Sequence, residues 1–542
     1  MDYIKMNLPA LNRFATDYMN GKLKKGDFFQ YDWRMESDVA KRAEWLDSKS
    51  FPREEAASYI ESYMERFGIS ERSKMNIDAL RKDALVVIGG QQAGLLTGPL
   101  YSIHKVISII KLAKEQSAKL KKTVIPVFWI AGEDHDYNEV NHVYVDTEST
   151  MQKLTYPGPP TGKRMVSDIK LEKETAMEWA EAVFAELGET DRTYMLMDWV
   201  EDVISRSETF TDFFAFLIND LFHDTGLLLV DSGDPRFRRL AAPYYHQIAF
   251  EGSGISSEVL KQQASLRESG YKPIIEIDDA CCNLFYYEPS TQNRILLERK
   301  PGTDEFVGKG ANIAFTEAEL DRLLSKTPEN FSTNVVTRPL LQEKIFPVLG
   351  FIGGPGEIAY WSEIMPVFQM LGEQMPPIWP RLSFTLLEGA IDRLLKELNL
   401  SLENVLVNGC SGEKEAYLEE LRKNVPNTYA AIIKTLESDH LKWQEETAPL
   451  DAGLEPLFEK NRQILVNQLL FMQKKVEEHL ARKNADTIGK YNRVENSLHP
   501  QGGLQERIWN PFYFLNHYGS SWIEALLQED LAFDGSHYVI YL

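Results

Sequence analysis

Residues 83–105, DALVVIGGQQAGLLTGPLYSIHK, constrain the fold more than any other stretch. Ala84 to Ile88 is apolar and rich in β-branched side chains, the composition of a strand buried on both faces of a parallel sheet. Gly89, Gly90, Gly94 and Gly98 follow, and they let the backbone bend sharply and approach a ligand closely. From Ser102 onward, Ile103, Val106, Ile107 and Ile110 fall at helical spacing. The unit is therefore strand, loop, helix, with a helix N-terminus able to face an anion. Its glycine spacing is neither GxGxxG nor GxxxxGK[ST], so neither the dinucleotide fingerprint nor the P-loop is present.

Around this unit the chain reads as α/β. Residues 1–80 are polar and helical, with Val39, Ala43, Trp45 and Leu46 on one face and Ala57, Ile60 and Tyr63 on another. A second buried strand is expected at Val124 to Ile130, a third at Val143 to Val145, and the sheet resumes at Gly226 to Asp231. Ligands in such sheets bind beyond the carboxyl ends of the strands. That is where the glycine loop and the cluster Glu133, Asp134, His135, Asp136 fall. Insertions are expected at about 150–220, with helices around 172–187 and 208–222, and at about 265–325, as an antiparallel hairpin. The core returns at 332–356.

From 385 the texture changes to heptads. Leu387, Ile391, Leu394 and Leu398, then Leu421, Val425, Ile432 and Leu436, then Phe458, Leu465, Leu469, Met472 and Val476 predict antiparallel helices. The longest of these would extend about 50 Å. The expected fold is a Rossmann-like parallel-sheet core over 1–384 with two insertions, an antiparallel coiled-coil helical arm over 385–486, and a segment over 487–542 that returns to the core and ends in a strand, HYVIYL. A heptad seam on a projecting arm predicts a homodimer.

Charge narrows the function. Against 59 Lys and Arg stand 81 Asp and Glu, a formal charge of −22. Such a surface repels phosphate backbones and anionic lipid, so neither nucleic acid nor membrane is an expected partner, and any anionic substrate needs a local basic pocket. Three cysteines, two of them adjacent at Cys281 and Cys282, fit a reducing compartment. No apolar run approaches the ~18 residues of a membrane helix and the start lacks a signal-type apolar region, which predicts a cytoplasmic protein.

Candidate site residues fall into four groups. Gly90, Gln91, Gln92, Thr97, Gly98 and Tyr101 would contact substrate, with His104 either a donor to phosphate oxygens or a core histidine. Glu133, Asp134 and Asp136 would hold or deprotonate an amine; with His135 and His142 they match no zinc spacing, and whether a metal is required stays open. Gly354 and Glu357, beside Tyr360 and Trp361, form either a turn or a pocket for an ammonium or a sugar, and Arg338 is one arginine able to neutralise carboxylates. Cys281 and Cys282 read as buried strand residues. Where the arm leaves and rejoins the core, Arg381, Ser383 and Thr385 at one end and Lys490, Tyr491, Arg493 and Arg507 at the other would form a second nucleotide or anion pocket, or else pair with Glu388, Glu495 or Glu506.

GPLYSIHK resembles the GPLHIGHA-type signature with which class I aminoacyl-tRNA synthetases and related nucleotidyltransferases hold ATP. His104 matches its second histidine, while Tyr101 stands for the first and Ile103 for the glycine. Together with VIPVFWIAGEDHDYNEVN at 124–141 and LQERIWNPFYFLNHYG at 504–519, the run resembles, over the full length, the cysteine-adding enzymes of bacillithiol biosynthesis. The resemblance implies a ligase that joins L-cysteine to the amine of glucosaminyl-malate in the last step of that pathway, with ATP or ADP at the site and nucleotide-dependent activation of the carboxylate. On this reading the 89–98 loop and His104 are expected to hold the activating phosphates, and Glu133, Asp134 or Asp136 to hold or deprotonate an amine. Two alternatives stay open: a nucleotidyltransferase or adenylate-forming enzyme acting on another small metabolite, against which the missing KMSKS-type loop counts, and a non-catalytic coiled-coil scaffold with a metabolite-binding core.

Overall fold

Five parallel strands lie in the order Ile378–Pro380, Val348–Gly353, Leu85–Gln91, Val124–Ile130, Leu228–Asp231. The computed structural model describes residues 2–147, 149–158, 162–300, 302–447 and 449–542. From the central Leu85–Gln91 strand the chain builds outward through Val124–Ile130 to Leu228–Asp231, then crosses back to lay Val348–Gly353 and Ile378–Pro380 on the other side. The direction of winding reverses between Leu85–Gln91 and Val348–Gly353, the place where open α/β sheets form a crevice. Val86, Val87 and Ile88 are wholly buried, as a strand flanked on both sides requires. The Tyr101–Leu120 helix packs Ile103, Val106 and Ile107 into the same core.

The glycine turn is held from a distant part of the chain. Leu96, Thr97 and Gly98 all have positive φ, at 48°, 68° and 69°. A Cβ on Gly94 would lie 2.8 Å from the Gly98 Cα, so the turn closes only around glycine. The Asn510 Nδ2 donates to the carbonyls of Leu96 and Gly98, each at 2.9 Å, and the Leu100 N–H donates to the Trp509 carbonyl at 2.8 Å. Asn510 thereby stabilises a backbone shape that its own sequence disfavours.

Several expectations change. Val143 to Val145 lies in a strand, His142–Asp146, but it pairs with Met151–Thr155 outside the main sheet, whose third strand is Leu228–Asp231. The 150–220 insertion holds a third helix, Thr193–Arg206, besides Lys173–Leu187 and Phe210–Leu221. The expected hairpin is part of a five-stranded antiparallel sheet ordered Ala314–Thr316, Glu305–Gly308, Asn293–Arg299, Cys281–Glu288, Phe331–Thr333. The terminal strand His537–Tyr541 does not enter the main sheet. It pairs with Tyr3–Met6 and Ser383–Leu387 in a separate sheet, so the first residues are strand and not helix.

The chain divides into two units, 1–145 with 152–387 and 505–542, and 146–151 with 388–504. The second is helical, and its longest elements, Val425–Thr447 and Glu455–Lys483, run antiparallel: Glu437 meets Arg462 at 2.8 Å and His440 meets Asn461 at 3.1 Å. At 29 residues the longer helix spans about 44 Å. None of its described side chains is buried, and Leu441, Trp443, Leu457, Ile464 and Phe471 are exposed along the pair.

Replacing Asn510 by Ala is expected to leave two buried carbonyls without their donor and to cost about 2 kcal/mol. Hydrogen exchange read by mass spectrometry should quicken across 94–100. Unchanged exchange there would contradict the clasp.

Candidate functional site

The carboxyl ends of the main-sheet strands open into a cleft of about 600 Å³. Its floor is tied across the switch point by Lys105, one helical turn past Tyr101. The Lys105 ammonium donates to the Gly90 carbonyl at 2.7 Å and to the Glu357 carboxylate. The same carboxylate accepts the Gly354 N–H at 2.8 Å, which starts the Pro355–Trp361 helix. Burial lowers the Lys105 pKa, and Glu357 opposes that shift.

On the Val124–Ile130 side, the Gln92 amide donates to Asp134 at 2.8 Å, joining two strand-end loops. Beside it Glu133 is only 4 % exposed. Burial pushes its carboxyl up to about 7, against the pull of Arg294, Arg338 and Arg238 in the opposite direction. Arg294 is held rigidly. It donates to Ser332 Oγ at 3.0 Å and to the Thr333 carbonyl at 2.5 Å, lies 3.8 Å from Asp134, and stacks 3.8 Å above the Phe285 ring. Arg338 donates to the Tyr360 hydroxyl. Thr333 Oγ1 reaches Glu133 Oε1 at 3.4 Å, while Glu133 Oε2 has no hydrogen-bond partner among the described residues.

At the third side, Arg381 lies 5.9 Å from the Tyr101 ring centre and pairs with Glu506 at 3.0 and 2.5 Å; Arg507 is exposed at the rim. The cleft therefore has cations on two walls and a carboxylate that titrates near neutrality between them. That is the equipment to bind anionic groups and accept a proton.

Of the expected residues, Gly90, Gln91, Gln92, Tyr101, Glu133, Asp134, Arg338, Gly354, Glu357, Arg381 and Arg507 line the cleft. Thr97 and Gly98 do not: the strap from Asn510 packs their turn into the core, and Thr97 is wholly buried. His104 is wholly buried outside the lining, bonded to Glu506 at 2.9 Å. Asp136 is exposed beyond it. Ser383 and Thr385 bond the two ring nitrogens of His537, each at 2.8 Å. Lys490, Tyr491 and Arg493 belong to the helical unit, where Lys490 pairs with Glu397 at 2.7 Å and Asp486 at 3.1 Å, and Tyr491 rests against Tyr417. Cys281 also lines the cleft, and burial pushes its thiol up to about 11. Among the described residues no three His, Cys, Asp or Glu side chains are grouped to hold a metal, and no helix is long and apolar enough to cross a membrane.

The sequence reading missed Lys105 and Arg294. Lys105 follows Tyr101 by four, so a helical wheel puts the two on one face. Arg294, Leu296, Phe285 and Cys281 share the cleft-facing side of paired strands, a period-two signal in NRILLERK.

A parallel sheet with a polar, arginine-walled cleft at its switch point defines an α/β Rossmann-like enzyme. Residues 1–382 match the family model described as "Bacillithiol biosynthesis BshC, N-terminal Rossmann-like domain", and 384–542 match its "C-terminal coiled-coil domain". Proteins named "Putative cysteine ligase BshC" are 38% identical over 544 residues in Geobacillus sp. (strain WCH70) and 39% over 550 in Bacillus velezensis, covering 100% of both chains in each case. A structure titled "putative arginyl t-RNA synthetase" from Campylobacter jejuni aligns with 88% of this chain and 97% of its own at 11% identity; its TM-score of 0.24 is too low to carry an argument. The chain belongs to the BshC family of bacillithiol biosynthesis, a family of ligases.

Glu133 binds a proton near pH 7 in the folded chain and near 4.5 when unfolded. Its contribution to stability is therefore present at low pH and lost as pH rises toward and past 7. Urea unfolding at pH 5 and pH 8 should show wild type losing about 2.5 kcal/mol more than Glu133→Gln over that interval. Equal losses would mean that Glu133 is ionised throughout.

Proposed function

We propose that this cleft joins the carboxyl group of L-cysteine to the amine of glucosaminyl-malate, the last step of bacillithiol formation. The observation that carries the reading is Glu133, buried and titrating near 7, flanked by Arg294 and Arg338 in a chain of net charge −22. Two guanidinium groups suit the malyl carboxylates, and a carboxylate poised near neutrality suits a proton acceptor for an amine. The names of the relatives support cysteine as the other substrate.

An amide does not form readily from a free carboxylate, so the reading includes activation by a nucleotide: a cysteine carboxylate oxygen attacks a nucleotide phosphorus, the new O–P bond forms, and the P–O bond to the rest of the nucleotide or to pyrophosphate breaks with its electron pair. The nucleotide's phosphates would lie toward Lys105, Arg381 and Arg507, beside the backbone of Gly90 and Gln91, and not in the buried turn at 94–98. The amine nitrogen then attacks the activated acyl carbon. The new C–N bond forms, the C–O bond to phosphate breaks with its electron pair, and Glu133 takes the proton from nitrogen. We place the protein in the cytoplasm, where its three free cysteines stay reduced, and as a homodimer through the exposed apolar side chains of Val425–Thr447 and Glu455–Lys483.

Purified protein given L-cysteine, glucosaminyl-malate and ATP should yield bacillithiol by mass spectrometry, and none when any one is withheld. Arg294→Gln should lower kcat/KM for glucosaminyl-malate on the order of 50-fold. Normal bacillithiol in a strain lacking the protein would contradict the assignment. Light scattering should give a dimer for the full chain and a monomer after a short linker replaces 390–480; a monomeric full chain at micromolar concentration would contradict that part.

A further inference from the structure

His104 is the residue that the signature would assign to phosphate contact, yet it is wholly buried and does not line the cleft. Its Nδ1 lies 2.9 Å from Glu506 Oε2, and its ring stands edge-on to Phe384 at 4.9 Å. Burial lowers the His104 pKa, although Glu506 opposes this. Glu506 is ionised: burial raises its pKa, but Arg381 and His104 outweigh that and hold it well below the usual carboxylate range. An imidazole nitrogen 2.9 Å from an ionised carboxylate carries a proton, so Nδ1 is the donor to Glu506, and Arg381 Nη1 lies 3.5 Å from the same nitrogen. Nε2 has no hydrogen-bond partner among the described residues.

Glu506 in turn binds both terminal nitrogens of Arg381. The neighbouring Gln505 anchors this segment to the Leu386 backbone, accepting its N–H at 2.8 Å and donating to its carbonyl at 3.0 Å. Arg381 alone of the three lines the cleft, beside Tyr101. A guanidinium has five N–H donors, and those not spent on Glu506 remain for a ligand.

We propose that His104 is a positioning residue: it donates through Nδ1 to Glu506, which fixes the Arg381 guanidinium for an anionic group of the bound substrates. The phosphate of the activating nucleotide and a carboxylate of the acceptor share the required chemistry, and the kinetics separate them. The proposal rests on the reading of the cleft as the reaction site.

The test compares His104→Asn, whose amide nitrogen replaces Nδ1, with His104→Gln, whose amide lies near the place of Nε2, and with His104→Leu. We expect Asn to retain kcat/KM within about threefold of wild type. Gln and Leu should each lose about tenfold or more, mainly as a rise in KM for ATP or for glucosaminyl-malate; the substrate affected names the group that Arg381 holds. Arg381→Lys should show the same rise, and the Leu/Lys double variant should be no worse than Arg381→Lys alone. A better rescue by Gln than by Asn, a kcat loss with unchanged KM, or additive losses in the double variant would overturn the proposal. So would a Leu variant with a lower unfolding temperature and unaltered kinetics. If His104→Leu does not fold, the Asn and Gln pair and the Arg381→Lys variant still decide. Failure of the cleft reading itself is distinguishable, because Arg294→Gln would then also keep full activity.

Discussion

The reversal of winding beside the Leu85–Gln91 strand is the constraint on which the rest depends. Because this strand was laid first and flanked later on both sides, loops leave its end and the end of Val348–Gly353 in opposite directions, and a crevice opens between them. Lys105 bridges that crevice at its floor, bonded to Gly90 from one strand end and to Glu357 at the start of the helix that follows the other. The ends of the sheet are thereby locked at a fixed separation, and the charged side chains above them have a rigid base.

Electrostatics then select what enters. An acidic surface repels anions at large, while Arg294, Arg338 and Arg381 place guanidinium groups among the carboxylates of the cleft, Glu133, Asp134, Glu139, Glu276 and Glu357. Each arginine is fixed before any ligand arrives: Arg294 by Ser332, Thr333 and the Phe285 face, Arg338 by Tyr360, Arg381 by Glu506. Preorganisation of this kind avoids the cost of ordering long side chains at the moment of binding. Glu133 sits among them with a proton affinity set by burial against nearby cations, and this gives a carboxylate useful near neutral pH.

The buried strands at 85–91, 124–130 and 228–231 and the heptad helices were legible because their signals are local, a run of β-branched residues or a repeat of apolar positions. Ile378–Pro380 was not, since three residues containing a proline carry no pattern. The placement of Glu133, Asp134 and Gln92 at the cleft was legible because strand-end loops announce themselves. Glu506 was read only as a possible partner for cations, because it meets His104 across 402 positions of sequence, and no local pattern encodes that contact. The same distance explains why the glycine turn looked like a ligand loop: its carbonyls bond Asn510, more than 410 positions away. His104 shows the limit of a motif, which identifies a residue type without showing where the side chain lies.

The most direct test of the account is the pH dependence of kcat for amide formation. If ionised Glu133 accepts the proton, kcat rises with pH through about 7 in the wild type. Arg338 is one of the cations that lower the Glu133 pKa, so Arg338→Gln should move that rise to higher pH. A rise that stays in place when Arg338 is replaced, or a kcat independent of pH between 5 and 8, would contradict the assignment of Glu133 as the proton acceptor.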